Sequence, residues 1–231
     1  MDTRFWGPSG WQLLHLVVHT SETPIPFLRA MKDALPCRFC RESTCEFMKK
    51  DPPHGDPEKW LYDFHNKVNA KLRGQCETDK RVICPPPDPE FADVKAHYEI
   101  LSKEAPSAPP GMDFLFCIAF NYAPDRYEIY QEFFGTLGDV YPYAPLRKIY
   151  REHLKHLSME SQRDIVRWMY SLMKELCAAT GSERLLPSIK GVYRRYGYVK
   201  SSCNRGKTCR NGKRQRDHRK TFKVTHARLL H

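Results

Sequence analysis

Pro36-Cys37-Arg38-Phe39-Cys40 is the stretch on which the rest of the chain is organised. Phe27 to Leu35 before it has a helical apolar pattern, with Phe27, Leu28, Met31 and Leu35 on one face. Pro36 interrupts that helix and suits the first turn of another. Cys37 is thereby expected at a helix N-terminus, where unpaired N–H groups and the helix dipole favour a thiolate. Two thiols at this spacing form either a redox pair or half of a metal site.

Outward from this motif, helical segments dominate. Gly7–Thr20 carries Trp11, Leu14, His15 and Val18 on one face, and the spacing predicts a first helix there. The second helix is expected over Ile25–Leu35 and the third from Cys37 to about Lys50. Asp56-Pro57 is a cap followed by proline at the first helical position. It opens a fourth helix that should reach Leu72 or Arg73, before Gly74. Trp60, Leu61, Phe64, Val68 and Leu72 form its stripe. A short fifth helix fits Glu90–Ser102. Short connections and one apolar stripe per helix predict an all-α fold built on a four-helix bundle.

Ala105-Pro106-Ser107-Ala108-Pro109-Pro110-Gly111 reads as a Pro-rich linker between an N-terminal domain, 1–104, and a helical accessory domain, 112–199. In the accessory domain, Glu160–Thr180 is the clearest amphipathic helix. Others are expected over Arg126–Phe134, Leu146–Leu157 and Leu185–Tyr196.

Composition narrows the function classes. No run approaches a membrane span of about 20 apolar residues, and the mean hydropathy is −0.64. Met1-Asp2-Thr3-Arg4-Phe5-Trp6 lacks the basic and apolar regions of a signal peptide, so a cytoplasmic location is expected. Nine cysteines without an export signal point to catalytic or metal-bound thiols, or to a protein that makes disulfides. Of the net charge of +11, +10 lies in residues 200–231, where 11 Lys or Arg face Asp217 alone. Basicity thus belongs to a tail that could contact nucleic acid, not to the body. Cys203, Cys209, His218 and His226 are too loosely spaced for a compact zinc site. A zinc- or nucleic-acid-binding module remains the competing reading.

Three segments occur together: Trp6-Gly7-Pro8-Ser9-Gly10-Trp11-Gln12-Leu13-Leu14-His15, Cys37-Arg38-Phe39-Cys40, and His65-Asn66-Lys67-Val68-Asn69-Ala70-Lys71-Leu72-Arg73. Their order and spacing resemble the Erv/ALR family of FAD-dependent sulfhydryl oxidases over about residues 5–90. The resemblance implies a helical bundle that clasps FAD. Gly7, Trp11 and His15 would contact it from the first helix, and His65, Asn66, Val68, Asn69 and Leu72 from the fourth. Lys71 and Arg73 are candidates for its pyrophosphate, Arg73 standing where the family often has Lys.

Cys37 and Cys40 would be the catalytic pair. Cys37, nearer solvent at the helix start, is expected to be the interchange thiol. Cys40, one turn inward, would be the flavin-proximal one, and the resemblance implies dioxygen as final acceptor and hydrogen peroxide as product. Protein dithiols would be the substrates, and a homodimer the assembly. Versions with an extra C-terminal domain, encoded by large DNA viruses, act on virion proteins in the host cytoplasm and are the most similar.

Two departures stand out. Tyr62 occupies a position where many members have a cysteine, which leaves Cys84 as the nearest partner for Cys76. No N-terminal shuttle arm is visible, so Cys203 and Cys209 are the candidate shuttle pair.

Overall fold

In a computed structural model of the chain, residues 3–79 and 82–203 are described, the side chains of 199–203 excepted. Ten α-helices and two short 3-10 turns make up the regular structure of these residues: α1 (Thr3–Thr20), α2 (Ile25–Ala34), α3 (Arg38–Lys50), α4 (Pro57–Thr78), α5 (Phe91–Lys103), α6 (Met112–Asn121), α7 (Tyr127–Val140), α8 (Ala144–Leu154), α9 (Gln162–Ala179) and α10 (Ile189–Cys203). The fold is all-α, an N-terminal bundle followed by a second helical region.

Local chemistry sets several boundaries. The Asp56 carboxylate accepts from the backbone N–H groups of Glu58 (2.9 Å) and Lys59 (3.4 Å), which caps α4 ahead of Pro57. Ser161 caps α9 by accepting from the N–H of Asp164, and its own hydroxyl donates back to that carboxylate. Gly111 precedes α6 with φ +80°, a left-handed conformation that suits glycine.

In the N-terminal half, two boundaries differ from expectation by several residues. α1 starts at Thr3 and carries Pro8 inside it, because its first turn is held from outside. Trp6 packs on Phe114 (5.5 Å between centroids) and Phe5 on Tyr196 (5.6 Å). α4 runs through Gly74 to Thr78, where a disulfide joins Cys76 to Cys84 (Cα–Cα 5.5 Å). An exposed helical glycine costs about 1 kcal/mol, too little to end a helix held beyond it.

The two halves share one core. α1 packs on α6 and α2 on α7, and rings meet across the join, Phe27 on Phe133 at 5.6 Å. α6 is apolar all round, with Phe114, Leu115, Phe116, Cys117, Ile118 and Ala119 fully buried, so it forms the centre rather than a face. The Pro-rich segment between the halves is a packed joint at its end: Pro109, Pro110 and Gly111 are buried, and the Tyr141 hydroxyl donates to the Pro110 carbonyl (2.8 Å). Polar clamps complete it. Arg147 donates to the Thr20 carbonyl at the end of α1 (3.2 Å), and Arg126 to the Asp33 carbonyl at the end of α2.

α10 carries helix through Ser201 and Ser202 to Cys203, into the stretch expected to be tail. Cys209, His218, His226 and the rest of the basic tail lie outside the described residues. Among the described residues no helix is long and apolar enough to cross a membrane.

Candidate active site

Cys37 is the N-cap residue of α3, with extended backbone (φ −120°, ψ 123°), and Cys40 lies in the first turn of that helix. The expected helix-start position for the dithiol is therefore what the structure shows. The expected exposure is not. Cys37 is 3% exposed and belongs to the core, whereas Cys40 is half-buried. Pro36 before it is buried too, so the chain enters α3 from inside, and the surface of this turn is made by Arg38 and the 45%-exposed Phe39. The Arg38 guanidinium lies over the Phe39 ring at 5.1 Å.

Arg41, next in the helix, donates to the Leu35 carbonyl (2.6 Å). Burial, and then the neighbouring Arg126, push its pKa down, opposed first by Tyr130 and then by Cys37 and Cys40. Cys45, further along α3, donates to the Asp33 carboxylate (3.5 Å), and its thiol pKa is raised, first by burial and then by Asp33. It is thereby set apart from the reactive pair. A groove of about 470 Å³ has Asp33, Arg41, Cys45 and Arg126 among its walls.

The second group of expected residues comes from α1 and α4. Trp11 and His65 stack face to face, 3.7 Å between centroids and 11° between planes. His15 Nε2 and His65 Nδ1 are 3.3 Å apart, although the residues are 50 apart in sequence. Tyr98 of α5 stacks on the other imidazole, His15, at 4.6 Å. Burial, followed by the neighbouring His65, lowers the His15 pKa well below the usual value. Burial takes His65 to about 4, against a weaker opposing pull from Asp88. Both rings are therefore neutral at neutral pH, and each offers one donor and one acceptor.

α4 is buried only near its start, at Trp60, Leu61 and Phe64. Beyond that, Val68 and Leu72 are half-buried, alongside Asn66, Asn69 and Arg73. Lys71 donates to the Ser43 hydroxyl of α3, so the helix that bears the dithiol is tied to this face. Arg73 is not an open cation: it forms a two-pronged pair with Asp88. Gly7 sits on α1 with open space where a side chain would be. Sequence reading missed Tyr98 and Asp88. Tyr98 lies on α5, which has no buried residue and only a weak pattern, and Asp88 lies in a run of prolines.

These segments match known proteins. The Erv1/Alr family model matches residues 8–83. A relative named "Putative FAD-linked sulfhydryl oxidase 347L", from Invertebrate iridescent virus 6, is 30% identical over 93 residues, covering 31% of this chain and 83% of the relative. The chain belongs to the Erv1/Alr family. No solved structure matches it significantly.

As an Erv1/Alr-family enzyme it carries, in Cys37 and Cys40, a redox-capable pair consistent with thiol oxidation. Family membership implies use of FAD. The residues present fit that group in kind. Neutral imidazoles and an indole can meet an aromatic ring system, Asn66 and Asn69 can hydrogen-bond it, and the half-buried Val68 and Leu72 offer apolar contact. Among the described residues no three His, Cys, Asp or Glu side chains are grouped to hold a metal ion.

Proposed function

We propose that this protein is a FAD-dependent sulfhydryl oxidase that introduces disulfides into protein substrates through Cys37 and Cys40. The observation that carries the reading is the meeting of Trp11, His15 and His65 on two helices of the segment that matches the family. A substrate thiolate attacks one sulfur of the Cys37–Cys40 disulfide, and the other sulfur leaves as thiolate. A second substrate thiolate then attacks the substrate sulfur of the mixed disulfide and expels the enzyme sulfur as thiolate, so the substrate gains a disulfide and the pair is reduced by two electrons. FAD held beside the pair would supply the onward redox chemistry, with dioxygen as the final two-electron, two-proton acceptor and hydrogen peroxide as product.

Trp11, His15, His65, Val68 and Leu72 would flank the cofactor rings. Asn66, Asn69 and Lys71 would supply polar contacts, and Gly7 would allow close backbone approach. Cys37 was expected to meet substrate because it would be the more exposed sulfur. Its burial removes that ground, and the dithiol is assigned as a unit. The viral relative's name, "Putative FAD-linked sulfhydryl oxidase 347L", agrees with the oxidase reading. Virion proteins as substrates and a cytoplasmic setting are part of the proposal. A homodimer remains part of the proposal.

The test is a visible spectrum of the purified protein together with oxygen uptake on a dithiol substrate. Wild type should show a flavin band near about 450 nm and turn over. Cys37→Ser and Cys40→Ser should each keep the flavin and lose turnover by at least about a hundredfold, since neither can complete the exchange. Colourless wild-type protein, or full turnover in either variant, would refute the assignment.

A further inference from the structure

The segment after α4 runs back along that helix and is fastened to it at successive points. Cys84 is bonded to Cys76. The Pro86 carbonyl accepts from Arg73 Nη1 (3.0 Å). Asp88 accepts from Arg73 Nη1 (3.1 Å) and Nη2 and from Asn69 Nδ2 (2.9 Å). The Pro89 carbonyl accepts from the Tyr62 hydroxyl (2.8 Å). As the strap advances from 84 to 89, its partners step back along α4 from 76 to 62, so it lies antiparallel to the helix. Pro85, Pro86, Pro87 and Pro89 limit its backbone freedom.

Asp88 is its one charged side chain, and it meets Asn69, assigned above to the cofactor, and Arg73, which the sequence offered for the pyrophosphate. A carboxylate can only accept hydrogen bonds. It therefore fixes the Asn69 amide with the NH2 group toward the strap and leaves Oδ1 as the free acceptor. The same carboxylate neutralises Arg73 and holds its guanidinium in one plane.

We propose that Asp88 is a positioning residue of the cofactor site: it makes Asn69 an acceptor toward the flavin nucleotide and makes Arg73 a fixed, charge-balanced wall rather than a phosphate-seeking cation. This rests on the FAD reading above. The nucleotide feature that Asn69 would meet is a hydrogen-bond donor, an amino or hydroxyl group, not a phosphate.

The test uses the full chain, stripped of flavin and titrated with FAD, read by quenching of flavin fluorescence, with the unfolding midpoint of the flavin-free protein measured beside it. Asp88→Ala should bind FAD about tenfold more weakly, the loss expected for charge-assisted hydrogen bonds. Its flavin-free midpoint should stay close to wild type, because the disulfide and Tyr62 still fasten the strap. Asp88→Glu should recover most of the affinity. Tyr62→Phe loosens the strap without touching Asn69 or Arg73, and should bind FAD as wild type does. Unchanged affinity in Asp88→Ala, no recovery in Asp88→Glu, or an equal loss in Tyr62→Phe overturns the proposal. Wild-type protein that binds no FAD refutes the cofactor reading itself, which separates the two failures.

Discussion

His65 makes the stability of this protein dependent on pH in a calculable way. Its pKa is about 4 in the folded chain, lowered mainly by burial, against about 6.5 for an unperturbed imidazole. Below pH 6.5 the unfolded chain takes up a proton that the folded chain refuses, so stability falls as pH falls. The loss is complete only below pH 4, where both states are protonated. The contribution is fully present above pH 6.5. At pH 5 linkage removes roughly 2 kcal/mol, and the whole window amounts to about 3 kcal/mol. His15 acts in the same direction, since burial and His65 lower its pKa too. The perturbation is His65→Phe, which keeps a ring against Trp11 and removes the titration. Urea unfolding at pH 7.5 and pH 5, without added flavin, gives the four free energies needed. Wild type should lose about 2 kcal/mol more than the variant between the two conditions. An equal loss in both proteins, within about 0.5 kcal/mol, would refute the assignment of a neutral buried imidazole.

Gly111→Ala should destabilise the chain by roughly 2–4 kcal/mol, combining a left-handed φ with overpacking: the new Cβ would stand 2.6 Å from Leu13 Cδ2. A denaturation midpoint within error of wild type would remove the tight joint between α1 and the start of α6. Cys84→Ser opens a short loop and should cost about 2–3 kcal/mol on the chain-entropy account. The check is the unfolding midpoint under oxidising conditions, where a variant as stable as wild type would count against a formed Cys76–Cys84 bond.

The parts of this fold that were legible in sequence are those fixed by local rules. Asp56-Pro57 marked the start of α4 because a cap and a proline act within one turn. The stripe of α9 was legible because an amphipathic helix repeats its own burial. Met112–Asn121 was not among the expected helices, because a helix buried on all sides has no periodic face to show. The early start of α1 depends on Phe114 and Tyr196, more than a hundred residues away, and nothing near Thr3 reports it. At the site, Trp11, His15 and His65 were legible as motif residues, and the structure brings them together. The depth of Cys37 was not, because it depends on which way Pro36 leads the chain into α3. Tyr98 and Asp88 were silent for a similar reason: a lone ring on a weakly patterned helix and a lone carboxylate among prolines acquire meaning only once folded beside α1 and α4.

The shared core also bears on how the protein is made. Leu13 and Phe27, wholly buried here, are covered by the start of α6 and by Phe133. A ribosome adding roughly 5–20 residues per second needs about 5–20 s to travel from Phe27 to Phe133. For that interval the half bearing Cys37 and Cys40 stands with its inner face, Leu13 and Phe27 included, unclothed. The chain's own synthesis thus contains a window in which the segment that carries the dithiol exists without the helices that complete its core.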